Sequence, residues 1–453
     1  MYKSSLALAV ALGVLAQQAG AAGFVEDSKL SLSSRTMYFN NDNREAHASS
    51  STNFERPDQR ESGQGFKLDY ISGFTEGTVG FGVDAQALWG IHLDGGEGYH
   101  KSGFFPDDGK GSAAQWARFG ANAKARFSKT EAHFGSALAP NLPILVSNDG
   151  RLLPQSFGGG TIQSKEIENV TINAGKLTQQ AARASSNYSG LSVAGASQDS
   201  NSFVFAGADW KVTKDLTLQA YHAQLEDFYK QTFLGLTHVF QIADDQSFKT
   251  DLRWFDSSSD GKNGDVNYRF NNNGGYAKNV GEVDNKTWSA MFTYTLGGHA
   301  LMVGHQRVND DGGMVWLNQG NVTKNGTTST HIEGEGGSSF YLFTDSMINQ
   351  FARAGENTTF GQYSYDFARL GVPGLKAAFA YLHGTDIKAA NTAVDKSDSS
   401  EWERDVRLDY VVQSGVLKGF GTSLRRGTYR GDSGTPADQD QTRLIFNYTY
   451  AFK

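Results

Sequence analysis

The sequence predicts an all-β fold, a transmembrane antiparallel β-barrel of 18 strands. Three observations lead there. Long segments alternate residue by residue between an apolar and a charged side. Only 38% of the 453 residues are hydrophobic, although Gly (53), Phe (30) and Tyr (18) are abundant. Beyond the first residues, no run approaches the roughly 18 consecutive apolar residues that a transmembrane helix needs. Successive strand side chains point to opposite faces, so a wall between lipid and water needs only one apolar face and stays polar overall.

The chain opens with one cation, Lys3, an apolar run over 6–15, and small residues at Ala19-Gly20-Ala21 or Gly20-Ala21-Ala22. This is the pattern of a cleaved secretory signal peptide, expected over 1–22, which leaves 23–453 as a single barrel domain. The alternation is clearest from Trp116 to Phe127, where Ala117, Phe119, Ala121, Ala123, Ala125 and Phe127 share one face and Arg118, Gly120, Asn122, Lys124 and Arg126 the other. A soluble core would not hold three cations on one strand face; a water-filled lumen would. Phe248, Thr250, Leu252 and Trp254 oppose Lys249, Asp251 and Arg253, and Val406, Leu408, Tyr410 and Val412 oppose Asp405, Arg407 and Asp409.

Further strands are expected near 29–39, 65–74, 77–90, 130–137, 167–178, 202–213, 215–224, 230–240, 286–296, 299–308, 357–368, 374–382, 418–429 and 441–452. Segments around 187–196 and 338–345 alternate less regularly. The tally is about 18 or 19, and single-chain bacterial barrels use even numbers, which selects 18. A β-propeller or β-helix would need a fixed internal repeat, and the sequence has none. Short connectors such as Ser128-Lys129, Thr213-Lys214-Asp215 and Gly297-Gly298 are expected at the periplasmic end and long polar ones outside. The last strand sets Thr442, Leu444, Phe446, Tyr448, Tyr450 and Phe452 on one face, with Lys453 after the final aromatic. That face resembles the signal read by the barrel-assembly machinery. The chain has no cysteine, and its formal charge of -7 is made of interspersed acids and bases with no basic block for nucleic acid.

Several stretches resemble the OprD family of substrate-specific outer-membrane porins, the carboxylate channels. They are Gly77-Thr78-Val79-Gly80-Phe81-Gly82-Val83-Asp84, Gly150-Arg151-Leu152-Leu153-Pro154-Gln155, Leu225-Glu226-Asp227-Phe228-Tyr229, Tyr365-Asp366-Phe367, Gly371-Val372-Pro373-Gly374-Leu375 and Tyr410-Val411-Val412-Gln413-Ser414-Gly415. The resemblance implies an 18-stranded barrel narrowed by inward loops, a ladder of Arg and Lys along the lumen, and passive entry of carboxylate-bearing solutes. Ser400-Glu401-Trp402-Glu403-Arg404-Asp405 and Arg353-Ala354-Gly355-Glu356 resemble the branch that takes organic and aromatic acids more than the basic-amino-acid branch. Uptake of basic amino acids or small peptides is the alternative. The expected partners are outer-membrane lipids and lipopolysaccharide, the assembly machinery and small carboxylates, with the protein a monomer or loose homotrimer and no cofactor.

Assigning each strand by its lipid face puts Arg35, Arg118, Lys124, Arg126, Arg253, Arg407, Arg425 and Arg443 in the lumen. A fork-shaped guanidinium grips a carboxylate bidentately, and several in series hand an anion along if each grip is weak. Asp69, Asp84, Asp209, Asp251, Asp366 and Asp409 share that face, either to set up a transverse field or to pair with the cations. The segment 137–160, with Pro140, Pro143 and Pro154, is the expected constriction, with Leu142, Ile144, Leu145, Val146, Leu152 and Leu153 as an apolar wall beside Asp149 and Arg151. A second candidate loop, 309–337, carries the unusually apolar Met314, Val315 and Trp316. Tyr221 is either a lumen tyrosine of the family kind or an ordinary wall aromatic.

Catalytic and metal patterns are weak. Gly431-Asp432-Ser433-Gly434 copies a serine-protease string without the fold that positions such a serine, so a barrel enzyme is the minor alternative of another class. No His-Glu-x-x-His pair for zinc is present, and Asp256-Ser257-Ser258-Ser259-Asp260-Gly261 begins like a calcium loop but meets Asn267 where a bidentate Glu belongs. No metal site is expected.

Overall fold

The computed structural model describes residues 23–44, 58–95, 99–106, 111–271, 275–319, 337–388, 399–432 and 435–452. The expected signal peptide and Lys453 lie outside them, as do Ser433 and Gly434 of the protease-like string. Eighteen strands form one antiparallel sheet. In chain order they are β1 (Lys29–Asn43), β2 (Gln59–Ile71), β3 (Val79–Asp94), β4 (Gln115–Phe127), β5 (Thr130–Leu138), β6 (Ser156–Ser164), β7 (Val170–Ala181), β8 (Phe203–Lys211) and β9 (Leu216–Leu225). Then come β10 (Tyr229–Ala243), β11 (Gln246–Ser259), β12 (Asp284–Leu296), β13 (His299–Val308), β14 (Asn357–Asp366), β15 (Leu375–Ile387), β16 (Ser399–Val411), β17 (Gly421–Gly431) and β18 (Gln439–Ala451). Each strand pairs with its neighbours in sequence, and β1 also pairs with β18 from Ser31↔Ala451 to Asn43↔Gln439. The sheet closes on itself and leaves no edge.

Alternation decides the faces as the sequence implies. Phe119, Phe127, Leu252, Val406 and Leu408 are exposed on the outer wall, whereas Arg118, Lys124 and Asp251 are buried within. The connections at the Lys29 end are short, with two-residue turns at 128–129, 244–245 and 297–298. The other end carries the long ones, which fixes it as the outer face of the membrane. Among the described residues no helix is long and apolar enough to cross a membrane.

The strand number agrees with expectation, but the strands are not all the expected ones. Segments 187–196 and 338–345 are not barrel strands: the first contributes a two-residue pairing, Leu191–Ser192, and isolated bridges at Ser189 and Leu191, and the second folds into the lumen. The missing strand is β6, Ser-Phe-Gly-Gly-Gly-Thr-Ile-Gln-Ser, half of which falls within the expected constriction segment. Its glycines carry no alternation signal. They are there for close approach: Gly159 has a φ of 149°, and a Cβ on it would lie 2.2 Å from the Lys176 carbonyl oxygen, at a bulge in the pairing with β7.

The bore is filled unevenly. Inward side chains of β5 to β11, among them Phe157, Leu177, Phe203, Phe205, Tyr221, Phe233 and Phe255, pack with Ile144, Leu145, Leu191, Met314, Val315, Phe340 and Leu342 from the inward segments 139–155, 182–202, 309–319 and 337–356, the last two being the described parts of loop 309–356. A smaller cluster joins Met37, Phe39, Leu88, Phe104, Phe105 and Trp116 to Leu152 and Leu153. Burying this apolar surface holds the loops in place at roughly 25 cal/mol per Å². One side of the barrel is thereby plugged, and the main remaining cavity lies along β14 to β18.

Candidate functional site: a cationic bore

The lumen along these strands holds a cavity of about 760 Å³. On its wall, Arg407, Arg425 and Arg443 stand directly opposite one another on three adjacent strands, Arg407↔Arg425 and Arg425↔Arg443. Like charges paired across strands are destabilising, because their Cβ atoms lie only about 5 Å apart. A fold keeps such a row only where something other than stability is served. Nearby acids and carbonyls ease it: Arg407 pairs with Asp409, Arg425 Nε donates to Ser423 Oγ (3.1 Å), and Arg443 donates to Gln441 Oε1 (2.7 Å) and to the Met347 carbonyl. Arg151 and Arg183 add two more guanidiniums from the loops. Facing the same space are Phe270, Trp316, Phe340, Leu342 and Phe343, with Trp316 stacked on Phe340 at 4.7 Å. Cations and apolar rings therefore line one chamber.

The other expected rungs all lie on the inward face but are engaged differently. Arg35 grips Asp149 with both terminal nitrogens (2.8 and 3.0 Å) and donates to the Arg151 carbonyl (2.7 Å), so it ties loop 139–155 to β1. Arg118 donates to the carbonyls of Ala182 (2.6 Å), Ser185 (2.7 Å) and Pro154 (2.6 Å), and pins two loops at once. Lys124 is buried between Asp84 (2.6 Å) and the Ser72 carbonyl (2.8 Å). Arg253 is held by Asp251 (2.8 and 3.0 Å) and by the Tyr341 carbonyl (2.8 Å). A guanidinium or ammonium with most of its donors committed to wall and loop in this way acts as a strut and has little left to offer a solute. Arg126 is exposed nearer the periplasmic end, stacked on Phe74 at 4.3 Å.

The constriction residues also separate. Arg151 lines the cavity, while Ile144 and Leu152 are packing residues and Leu142 lies against the larger cluster, so this loop does not present the expected apolar wall to this chamber. The apolar lining comes chiefly from loop 309–356. The two loops meet: Ser339 N donates to the Val146 carbonyl (3.1 Å) and Asn148 Nδ2 to the Gly337 carbonyl (2.9 Å). Tyr221 is buried in the wall, donates to Asp209 (2.7 Å) and accepts from Asn173 (2.9 Å). Most of the lumen aspartates are in ion pairs, Asp69 with Lys67, Asp84 with Lys124, Asp251 with Arg253, Asp409 with Arg407, and Asp366, which also caps a periplasmic turn, with Lys376.

Sequence reasoning missed Arg183, Phe340, Phe343 and Asp345. All lie in segments without regular alternation, where chain order says nothing about which way a side chain faces. Burial pushes the Asp345 carboxyl up to about 6, against hydrogen bonds from Ser339 and the Phe340 N–H and the pull of Arg183 and Arg443. It is charged above that pH and neutral below, so the chamber becomes more cationic as pH falls. The anion-over-cation permeability ratio, read from reversal potentials in a salt gradient, is expected to rise between pH 7.5 and 5 with a midpoint near 6. Asp345→Asn should hold the acidic value throughout; a midpoint unmoved in that variant would assign the titration to another group.

A closed barrel with a polar, cation-lined cavity and loops anchored inside it has the architecture of a membrane channel. The chain belongs to the OprD family of outer membrane porins, whose pattern it matches over residues 22–452. It is 32% identical to Porin D of Pseudomonas aeruginosa over 98% of this chain and 95% of that one. Its fold matches the crystal structure of Pseudomonas aeruginosa OccK8 (OprE) with a TM-score of 0.82 and 44% identity, covering 95% of this chain and all of the other. The structure of Pseudomonas aeruginosa OpdK with vanillate matches with a TM-score of 0.78 and 31% identity at the same coverage. The protein is an outer-membrane porin.

Proposed function

We propose that this porin passes small organic and aromatic acids, selected in the 760 Å³ chamber. The observation that carries the reading is the row Arg407, Arg425 and Arg443 beside Trp316, Phe340 and Phe343. A carboxylate exchanges between adjacent guanidinium forks while its apolar body rides on the rings. Asp409 and Asp405 on the same strand weaken each grip, which a conducting site requires. The vanillate in the OpdK structure is itself an aromatic carboxylate, which supports the same class. Five arginines against two aspartates, Asp345 and Asp405, in the chamber lining disfavour the basic-amino-acid alternative. Arg35, Arg118, Lys124 and Arg253 serve this function as struts that hold the loops and wall. On this reading the solute diffuses passively, no chemistry is performed on it, and one barrel suffices, monomeric or loosely trimeric. Recognition by the assembly machinery falls to the outward aromatics of β18.

The test is paired flux into liposomes. In the double variant Arg407→Gln/Arg425→Gln, benzoate entry is expected to fall roughly tenfold, equivalent to about 1.4 kcal/mol, while benzamide entry stays within about twofold. Arg126→Gln, outside the chamber, should change the benzoate ratio far less. Equal losses for both solutes would mean that the row only shapes the wall.

A further inference from the structure

The outer wall of the barrel carries a second arginine cluster that solute passage does not use. The inward side chains of β16 and β17 include Glu403, Asp405 and Arg425, so Arg404, Arg426 and Arg430 point outward by alternation. Arg44, just past β1, joins them around Asp440. That carboxylate is only 4% exposed and takes Arg44 Nε at 2.6 Å, Arg430 Nη1 and Nη2 at 3.2 Å each, and Arg426 Nη2 at 3.7 Å. Arg430 also reaches Asp438 at 3.4 Å. Arg404 is exposed and has no ion-pair partner among the described residues. Four guanidiniums thus face two carboxylates around an outward cleft of about 410 Å³, with Phe379 and Val406 at its foot.

The position is what makes the cluster informative. A cation on the lipid face costs about 2–4 kcal/mol at mid-bilayer and close to nothing at the interface, so four of them must lie among headgroups. Asp440 stands ten residues above Tyr450 on the same face of β18. That is roughly 33 Å along the strand and, at a tilt of about 40°, roughly 25 Å along the normal, the height of a barrel's apolar band. Trp402 and Tyr381, with rings 6.0 Å apart, supply an aromatic pair at this level. Directly below, Val406, Leu408 and Leu424 are exposed to the acyl region. The buried Asp440 holds three guanidiniums splayed around one point, and the unbalanced positive charge opens toward the leaflet. Guanidinium forks match phosphate oxygens in pairs.

We infer that Arg404, Arg426, Arg430 and Arg44 form a binding site for the phosphate groups of an outer-leaflet glycolipid, whose acyl chains lie on Phe379 and Val406. The site is independent of which solute the bore carries. A lipid held there braces β16, β17, β18 and β1, the strands that bear the arginine row and the closing seam.

The probe is lipid A carrying both phosphates, compared with dephosphorylated lipid A and with inorganic phosphate, each added to the porin in neutral detergent and counted by native mass spectrometry. Retention of the phosphorylated lipid alone is expected. Arg404→Gln/Arg426→Gln should weaken it at least about tenfold, whereas Lys286→Gln/Arg307→Gln, outward on β12 and β13, should change it less than about twofold. Equal retention of both lipids, equal loss in the two double variants, or occupancy by inorganic phosphate at the affinity of the lipid would each overturn the site. Should the arginine variant fail to fold, the comparison of the two lipids on the unaltered porin decides alone.

Discussion

Excising residues 340–350 from loop 309–356 is expected to raise single-channel conductance severalfold and to erase the preference for anions. This segment supplies Phe340, Leu342, Phe343 and Asp345 to the chamber. It is clamped to the wall by side chains that would survive its removal. Ile348 N and Asn349 N donate to Glu403 (2.8 Å each), Met347 N to Asp405 (3.4 Å), and Thr344 Oγ1 to Gln306 (3.0 Å). Taking the segment away admits water along β16 and uncovers Glu403 and Asp405 beside the arginine row. Conductance rises because flow depends most steeply on the occluded section, and selectivity collapses because carboxylates then face the same water as the guanidiniums. Trimming loop 139–155 should behave otherwise. Ile144, Leu145, Leu152 and Leu153 are core residues, so loss of folded yield is expected before any gain in conductance. An excised channel that folds normally with unchanged conductance and selectivity would sink the assignment of the occlusion to this loop.

Replacing Arg353 with Met is expected to destabilise the barrel by about 3–5 kcal/mol, because one partner of a buried ion pair is left without the other. Arg353 Nη1 pairs with Glu401, with side chains 3% and 0% exposed. Glu401 also accepts from Asn349 Nδ2 and Tyr429 OH, and the Arg353 N–H donates to Glu356 (3.0 Å). Burial and the neighbouring Glu401 push the Glu356 carboxyl well above the usual carboxylate range, against the pull of Arg353. The loss should appear as a lower temperature for conversion from the fast, folded gel band to the slow, unfolded one. The double variant Arg353→Met/Glu401→Gln should recover part of it, since removing both charges leaves no orphan. A double variant less stable than Arg353→Met would show that Glu401 is satisfied without the arginine.

Period-two alternation carried most of the wall. Where a strand meets lipid on one side and water on the other, as in Trp116 to Phe127, the environment writes itself into every second residue. The same logic placed Arg407, Arg425 and Arg443 inward, but not side by side: that needs the register between strands, which turn lengths and bulges set. Ser156–Ser164 escaped notice because Gly158, Gly159 and Gly160 have no side chains to alternate. Segment 338–345 looked like a strand because its residues also divide between a packed and a wetted side, although both lie inside the barrel. The apolar run Met314, Val315 and Trp316 correctly signalled a loop that folds inward. Which arginines brace and which remain available was not legible, since Arg118 and Arg407 have the same chemistry and the same facing, and differ only in the carbonyls that a folded loop brings within reach.

The pairing of β1 with β18 joins residues about four hundred positions apart in the chain. Bringing such distant ends together costs about 4–5 kcal/mol more in chain entropy than closing a two-residue hairpin, since the penalty grows with the logarithm of loop length. The seam is consequently the slowest contact to form and is completed after the local hairpins have zipped. Substitutions along it, at Arg35, Met37, Phe39 or Ile445, should act on the yield and speed of insertion, and leave the barrels that do close with nearly ordinary lifetimes. The two strands that arrive first and last in synthesis thus behave as a clasp, whose quality is tested once per molecule, at assembly.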